Sequence, residues 1–546
     1  MAEQQVPQVT PELLRVVALP RRAWSEADVA ACVEAMTRLL RRPGGTMTLR
    51  PIQAIALLEI GLSSGGFLPI RVAGGKTIIS LLAFTVLASS RPLLLVPAKL
   101  QEKTRRAWKH LAQHWKIHPS IRILSYELAG RVQSREILEQ WKPDAIVCDE
   151  GHKLKDTRTG VTKRVRWYLD ANPETKFVDM SGTITKRSIG DYAHRARWAL
   201  RDTCPLPNDW RDLKTWSGVI DEPSGAWKQE REAPDPGALA MLGAGDVREA
   251  FRSRCHDTLG WVATRESELS IPVLGDVARI PVPPAVASAL THLRDTWSSP
   301  DGEEEYDYAP EVWAHARQIG LGFWYAWDPP APLVWKAKRK AWGQWVRHIL
   351  ENNRRRLATP LDVANACDQG HYPDALAALE EWRAVRDSFV PVTVPRWIDS
   401  FALEWAAREL ASGDVLLWTE HRAFADRLSA ETGVPYYAGG GLDARKRSIL
   451  DHRKGPAIVS VKAIGEGFDL QHFARNVVAS APTSGKDWEQ LLGRTLREGQ
   501  LADEVSVLIL STCDEHDAAI GQAKADAEYI ETTTGQRQAL LTVDWV

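Results

Sequence analysis

The stretch AIVCDEGHKLKD, residues 145–156, ends an apolar run with two adjacent carboxylates and follows them with Gly151 and His152. Ala145-Ile146-Val147-Cys148 has the length and residue types of a fully buried strand, the kind found at the centre of a parallel sheet. Strands of such sheets deliver their C-terminal residues to a ligand crevice. Asp149 and Glu150 therefore either face chemistry or merely cap the next segment, since Asp is a favoured helix cap. The flanking sequence has to decide between the two.

Outward from this run, short apolar segments alternate with helical patterns. FLPIRV (67–72), PLLLVPA (92–98), IRILSY (121–126) and KFVDMSGT (176–183) share the strand character of 145–149, and segments such as KLQEKTRRAWKHLAQHW (99–115) read as amphipathic helices between them. VLLWTEH (415–421), AIVSV (457–461), NVVASAP (476–482) and VSVLILS (505–511) repeat the pattern. The signature is α/β, with two parallel-sheet domains of similar kind. Between them strands fade and the chain becomes helical and Trp-rich. The expected organisation is a helical extension over 1–46, a first α/β domain over 47–200, helical insertions over 201–400 and a second α/β domain over 401–546.

RVAGGKTIISLL (71–82) lies at the end of an expected strand and opens an expected helix, the context in which backbone amides and a helix N-terminus bind phosphate. Lys76 would reach the β- and γ-phosphates, and Thr77 would ligate Mg²⁺ through its hydroxyl. Gly74 and Gly75 would let the backbone come close. The full phosphate-loop pattern is not met: Ile70 stands where its first Gly belongs and Ala73 replaces a frequent Gly, so an ordinary glycine turn is the alternative. With a Gly-Lys-Thr strand in the same sheet, Asp149 falls near the metal and Glu150 near an attacking water. His152 could couple that site to SGT (181–183), or be a satisfied core residue. Upstream, TLRPIQAIALL (48–58) sets Arg50 and Gln53 before an apolar helix, and a Gln amide can pair with an adenine edge.

In the second half, DWEQLLGRTLREGQ (487–500) carries Gln490, Gly493, Arg494 and Arg497, the arginines three apart and so on one face of a helix. The order of these pieces, from Gln53 through Gly-Lys-Thr, Asp-Glu-Gly-His, Ser-Gly-Thr and AIGEGFDLQ (463–471) to Gln-x-x-Gly-Arg-x-x-Arg, resembles the superfamily 2 helicases and translocases. Through LRPIQ, DEGHKLKD, SGTITKR, GEGFDLQ and GRTLREGQ it looks most like the Swi/Snf-type translocases, in a compact version similar to phage- or bacterially encoded members. The resemblance covers roughly 47–190 and 400–512, with a thinner echo at RCHDTLGWVATRES (254–267). Besides the phosphate loop, this chain departs from the pattern at Gly151, where Ala is usual.

The resemblance implies two RecA-like domains and an ATP site with Mg²⁺. Lys76, Thr77, Asp149 and Glu150 would form one wall, and Arg494 and Arg497 would act as arginine fingers. Gln53, Arg50, Gly74, Gly75, Gly467, Asp469 and Gln490 would line the nucleotide. By the same resemblance Lys99, Ser125, Tyr126, Thr419 and the Gly465-Glu466-Gly467 segment would lie along a nucleic-acid track, gripping phosphates without reading sequence. The implied activity is ATP-driven movement on duplex or forked DNA, with protein partners in replication, repair or phage–host conflict. A nucleotide-gated regulator with weak hydrolysis is the alternative from a different class.

FWYAWDPPAPLVWKAKRKAWGQWVRHILENNRRR (323–356) interleaves five tryptophans with Lys336, Lys338, Arg339, Lys340 and Arg347. Basic residues beside aromatics suit a nucleic-acid platform, whereas tryptophans at helical spacing also build cores. At 546 residues the chain is too long for one core. A net charge of −1, from 69 Lys+Arg against 70 Asp+Glu, makes any nucleic-acid surface local. Six dispersed cysteines, no secretory pattern at the N-terminus and no apolar run of membrane length point to a reducing, cytoplasmic setting with no membrane partner.

Overall fold

The computed structural model describes residues 6–71, 74–134, 136–185, 187–221, 235–264, 271–352, 355, 357–464, 468–497 and 499–545. The five apolar runs of the first half form β1 (Gly66–Leu68), β2 (Pro92–Val96), β3 (Arg122–Ser125), β4 (Ala145–Asp149) and β5 (Lys176–Met180). They pair in the order β1-β5-β4-β2-β3, each pair parallel. Alternate residues feed two separate cores. Phe67, Leu93, Leu95, Ile146, Cys148 and Phe177 pack on one face, and Leu68, Leu94, Val96, Val147, Val178 and Met180 on the other. A sheet buried on both faces needs apolar residues at every position, which is why these strands read as continuous runs. Each fully buried Leu or Val contributes on the order of 1.5–3 kcal/mol.

This sheet belongs to a unit comprising Met1–Glu268 and Asp526–Leu541. Residues 6–46 are integral to it. Arg22 pairs with the buried Glu59 at 2.6 Å, Trp24 donates to the same carboxylate at 3.0 Å, and Arg254 donates to the carbonyls of Leu19 and Pro20.

The second unit comprises Leu269–Ala525 and Thr542–Val546. Its strands are β6 (Val273–Arg279), β7 (Phe323–Trp327), β8 (Thr393–Trp397), β9 (Val415–Thr419), β10 (Tyr436–Tyr437), β11 (Ala457–Ser460), β12 (Arg475–Val478), β13 (Val505–Ser511) and β14 (Val543–Trp545). Seven form a parallel sheet in the order β10-β11-β9-β12-β13-β6-β14, and β7 and β8 pair antiparallel apart from it. The molecule is thus α/β with two parallel sheets. Among the described residues no helix is long and apolar enough to cross a membrane.

The expected middle region does not stand as a block. Residues up to 268 fall with the first unit, while β6 enters the second sheet from a segment read as strand-poor. β6 carries its polar residues, Asp276 and Arg279, at exposed positions, which hid its strand character. The helices Leu333–Asn352, Pro360–Asp368 and Pro373–Arg386 form an excursion between β7 and β8, with Trp335 and Trp342 in its cores.

His516 marks where burial controls protonation in the second unit. It is fully buried, its Nε2–H donates to the Arg317 carbonyl at 3.0 Å, and burial beside Arg317 pushes its pKa down to about 4. The unfolded chain takes that proton near pH 6.5, so between pH 6.5 and 4 the unfolded state holds more protons and stability falls as pH drops. Urea unfolding followed by tryptophan fluorescence should show a loss on going from pH 7.5 to 5 that His516→Gln reduces by about 2 kcal/mol. An unchanged pH dependence would remove His516 as the cause.

Candidate functional site

Gly75, at φ +74°, is the residue from which the helix Lys76–Val86 starts. A Cβ at Gly75 would stand 2.1 Å from Gln53 Nε2, and one at Gly74 would stand 2.6 Å from Ile70 Cγ2. Both glycines are therefore demanded by close approach. Segment 258–264 backs this loop from the far side of β1. The Phe67 N–H donates to the Gly260 carbonyl at 2.9 Å, Val262 to Phe67 at 3.1 Å and Arg71 to the Thr264 hydroxyl at 3.3 Å.

Lys76 is buried, donating its ammonium to the carbonyls of Ile70 at 3.1 Å and Arg71 at 3.0 Å, and it stands 4.0 Å from a Glu150 carboxylate oxygen. Glu150 follows β4 in the left-handed region, φ 57° and ψ 48°, which a glutamate adopts only when its surroundings impose it. Its other oxygen lies 3.2 Å from His152 Nδ1, and that nitrogen lies 3.0 Å from the Ser181 hydroxyl. Since β5 lies between β1 and β4, Ser181 enters the same end of the sheet as the Gly74-Gly75 turn and the Asp-Glu pair. Asp149 is buried, and its backbone carbonyl accepts from the Tyr126 hydroxyl at 2.9 Å. Thr77 follows Lys76 on the helix and is half-buried.

Beneath the turn, Asp179 and Arg195 form a fully buried pair at 2.6 Å, and Arg195 also donates to the Ile184 carbonyl at 2.7 Å. Burial raises the Asp179 pKa while Arg195 opposes the rise. A Cβ on Gly151 would come within 1.6 Å of Asp179 Oδ1, so glycine is required where the resembling family has alanine. Sequence reading passed over both residues. The available signal was an Asp inside the apolar run KFVDM (176–180).

Other expected residues take different places. Gln53 is buried, and its Oε1 accepts from the Arg50 N–H at 2.9 Å, so it joins its own helix start to the Gly75 turn. Ser125, Tyr126 and Thr419, expected along a nucleic-acid track, are buried and hydrogen-bonded internally; Ser125 caps Leu128 and Thr419 accepts from the His421 amide. Lys99 is exposed on the turn Ala98–Leu100. Gly465, Glu466 and Gly467 lie outside the described residues.

In the second unit the helix Gly485–Thr495 ends before Arg497, so the two arginines do not share one helical face. They converge nonetheless. Arg494 donates to the Phe468 carbonyl at 3.1 Å and Arg497 to the same oxygen at 3.3 Å, and Arg497 pairs with Asp469. Arg494 Nε also donates to the backbone carbonyl of Gln490, itself buried. Lys336, Arg339 and Lys340 line a cleft of about 660 Å³ opposite Glu304, Asp307 and Glu311; Lys340 pairs with Asp307 at 3.1 Å and Arg339 lies over Trp335. Acidic neighbours partly neutralise that basic face.

The first unit thus gathers a helix N-terminus, an ammonium, a Thr hydroxyl and two carboxylates at one sheet end. Backbone amides and Lys76 suit phosphate oxygens, while Thr77 and Asp149 offer the hard oxygen ligands that Mg²⁺ takes, so this donor set fits a magnesium nucleotide. No protein-family model matches the chain, and no curated protein matches it.

Gly151→Ala should displace Asp179 from Arg195 and lower the unfolding free energy by about 3 kcal/mol or more, read by chemical denaturation. Stability equal to wild type would show that the turn relaxes around a methyl group.

Proposed function

We propose that the chain is an ATP-dependent motor of the superfamily 2 type, with two RecA-like units, hydrolysing ATP in the cytoplasm to move on DNA. The observation that carries this reading is the approach of buried Lys76 to Glu150 at 4.0 Å, with Glu150 held through His152 to Ser181. Bound ATP would supply a γ-phosphoryl group for transfer to water. Lys76 and the amides of the Gly75 turn would neutralise phosphate charge, and Thr77 and Asp149 would hold Mg²⁺. Glu150 would orient a water and accept its proton, with His152 fixing the carboxylate. Arg494 and Arg497 are the proposed arginine fingers. Lys99, Lys336, Arg339 and Lys340 are the proposed contacts to DNA phosphates, sequence-independent and weakened by salt.

One observation favours a second reading. The Lys76 ammonium is held by the Ile70 and Arg71 carbonyls of a loop that departs from the usual pattern, as suits a nucleotide-gated DNA- or protein-binding regulator that turns over slowly.

Steady-state ATP hydrolysis, with no nucleic acid and with single-stranded, duplex and forked DNA, separates the two. The motor reading expects stimulation by duplex DNA of about tenfold or more, abolished in Glu150→Gln. Low turnover unmoved by any DNA would contradict it and favour the regulator.

A further inference from the structure

The chain enters the second unit's last helix, Asp514–Thr534, at the end of β13, and from Asp526 to Leu541 it is part of the first unit. There it buries an unusually polar run: Thr533, Thr534, Gln536 and Gln538 are each at most 1 % exposed. Burying such groups is costly unless they are matched. Gln536 Nε2 donates to the Gly182 carbonyl at 2.6 Å across 354 residues of sequence. A carbonyl cannot donate, so the amide's NH₂ must be the atom that faces it. Gly182 lies between Ser181 and Thr183, and the Thr183 N–H donates to the Ser181 hydroxyl at 3.1 Å. That hydroxyl is the group 3.0 Å from His152, which in turn lies 3.2 Å from Glu150.

Two further contacts fix the clasp. Buried Asp526 pairs with Arg187, on the segment that follows Ser181-Gly182-Thr183. The Thr534 carbonyl lies 2.6 Å from His256 Nε2, and Gly535, at φ +72°, passes so close to the His256 ring that a Cβ would stand 2.3 Å from it.

We infer that Gln536 is a positioning residue for the Glu150 site: by holding the Gly182 carbonyl it sets the Ser181 hydroxyl, and through Ser181 the orientation of His152 and Glu150. The role in hydrolysis rests on the proposed ATPase reading, while the geometric link from Gln536 to His152 does not.

The test compares the full-length wild type, Gln536→Met, which keeps length and volume but cannot donate, and Arg537→Ala at an exposed neighbour. Four quantities are read: kcat and KM for ATP, the thermal midpoint, and the His152 ring signal in protein labelled at histidine, assigned with His152→Gln. Expected for Gln536→Met are a shifted His152 signal and a kcat lower by about tenfold or more at near-unchanged KM, with Arg537→Ala like wild type. A His152 signal and kcat equal to wild type would overturn the inference. Absence of Glu150-dependent hydrolysis in the wild type would instead sink the ATPase reading, leaving the His152 signal to decide the positioning link. Should Gln536→Met fail to fold, Gln536→Asn, whose amide is too short to reach Gly182, takes the same readouts.

Discussion

The ion pair between Asp179 and Arg195 is the constraint on which the candidate site depends. Both side chains are fully buried, so each carries a desolvation cost that only the other and its hydrogen bonds offset. Arg195 reaches from the helix Ala193–Leu200 to β5 and to the Ile184 carbonyl, tying the loop after β5 to the sheet. Asp179 then occupies the space a side chain at residue 151 would need, which leaves glycine there. With that floor in place, Glu150 adopts its left-handed turn and directs its carboxylate between Lys76 and His152. Local backbone strain at Glu150 is thus supported from below by a buried charge pair.

Most strands of the two sheets were legible because burial on two faces leaves a plain signature of continuous apolar runs. β2, β3, β4 and β5 of the first sheet and β9, β11, β12 and β13 of the second match runs read from sequence, whereas β1 stops at Leu68, inside the run read over 67–72. β6 and β14 were not legible. Their neighbours are distant in the chain, and β6 is buried only at Val273 and Gly275, so pairing across the sequence rather than local composition makes them strands. The division at residue 268 was hidden for the same reason.

Within the site, residues with a local context were readable: Gly75, Lys76, Asp149 and Glu150 each sit at a strand end or helix start. Those defined by contacts remote in sequence were not. Nothing near Gln536 announces its bond to Gly182, and Tyr126 gives no local sign that its hydroxyl would be spent inside the sheet on the Asp149 carbonyl. The arginines fall between these cases. Their spacing promised one helical face, whereas the helix ends at Thr495 and the Phe468 carbonyl gathers them instead.

The proposed motor requires the Lys76–Glu150 end of the first sheet to bind a nucleoside triphosphate. Calorimetric titration of a non-hydrolysable ATP analogue with Mg²⁺ into the full chain and into Lys76→Ala tests it most directly, free of any assumption about turnover or DNA. A triphosphate site there should show saturable one-site binding that the substitution weakens by about tenfold or more, as loss of a buried cation from a phosphate contact should. Equal binding by both proteins, or none by the wild type, would contradict it.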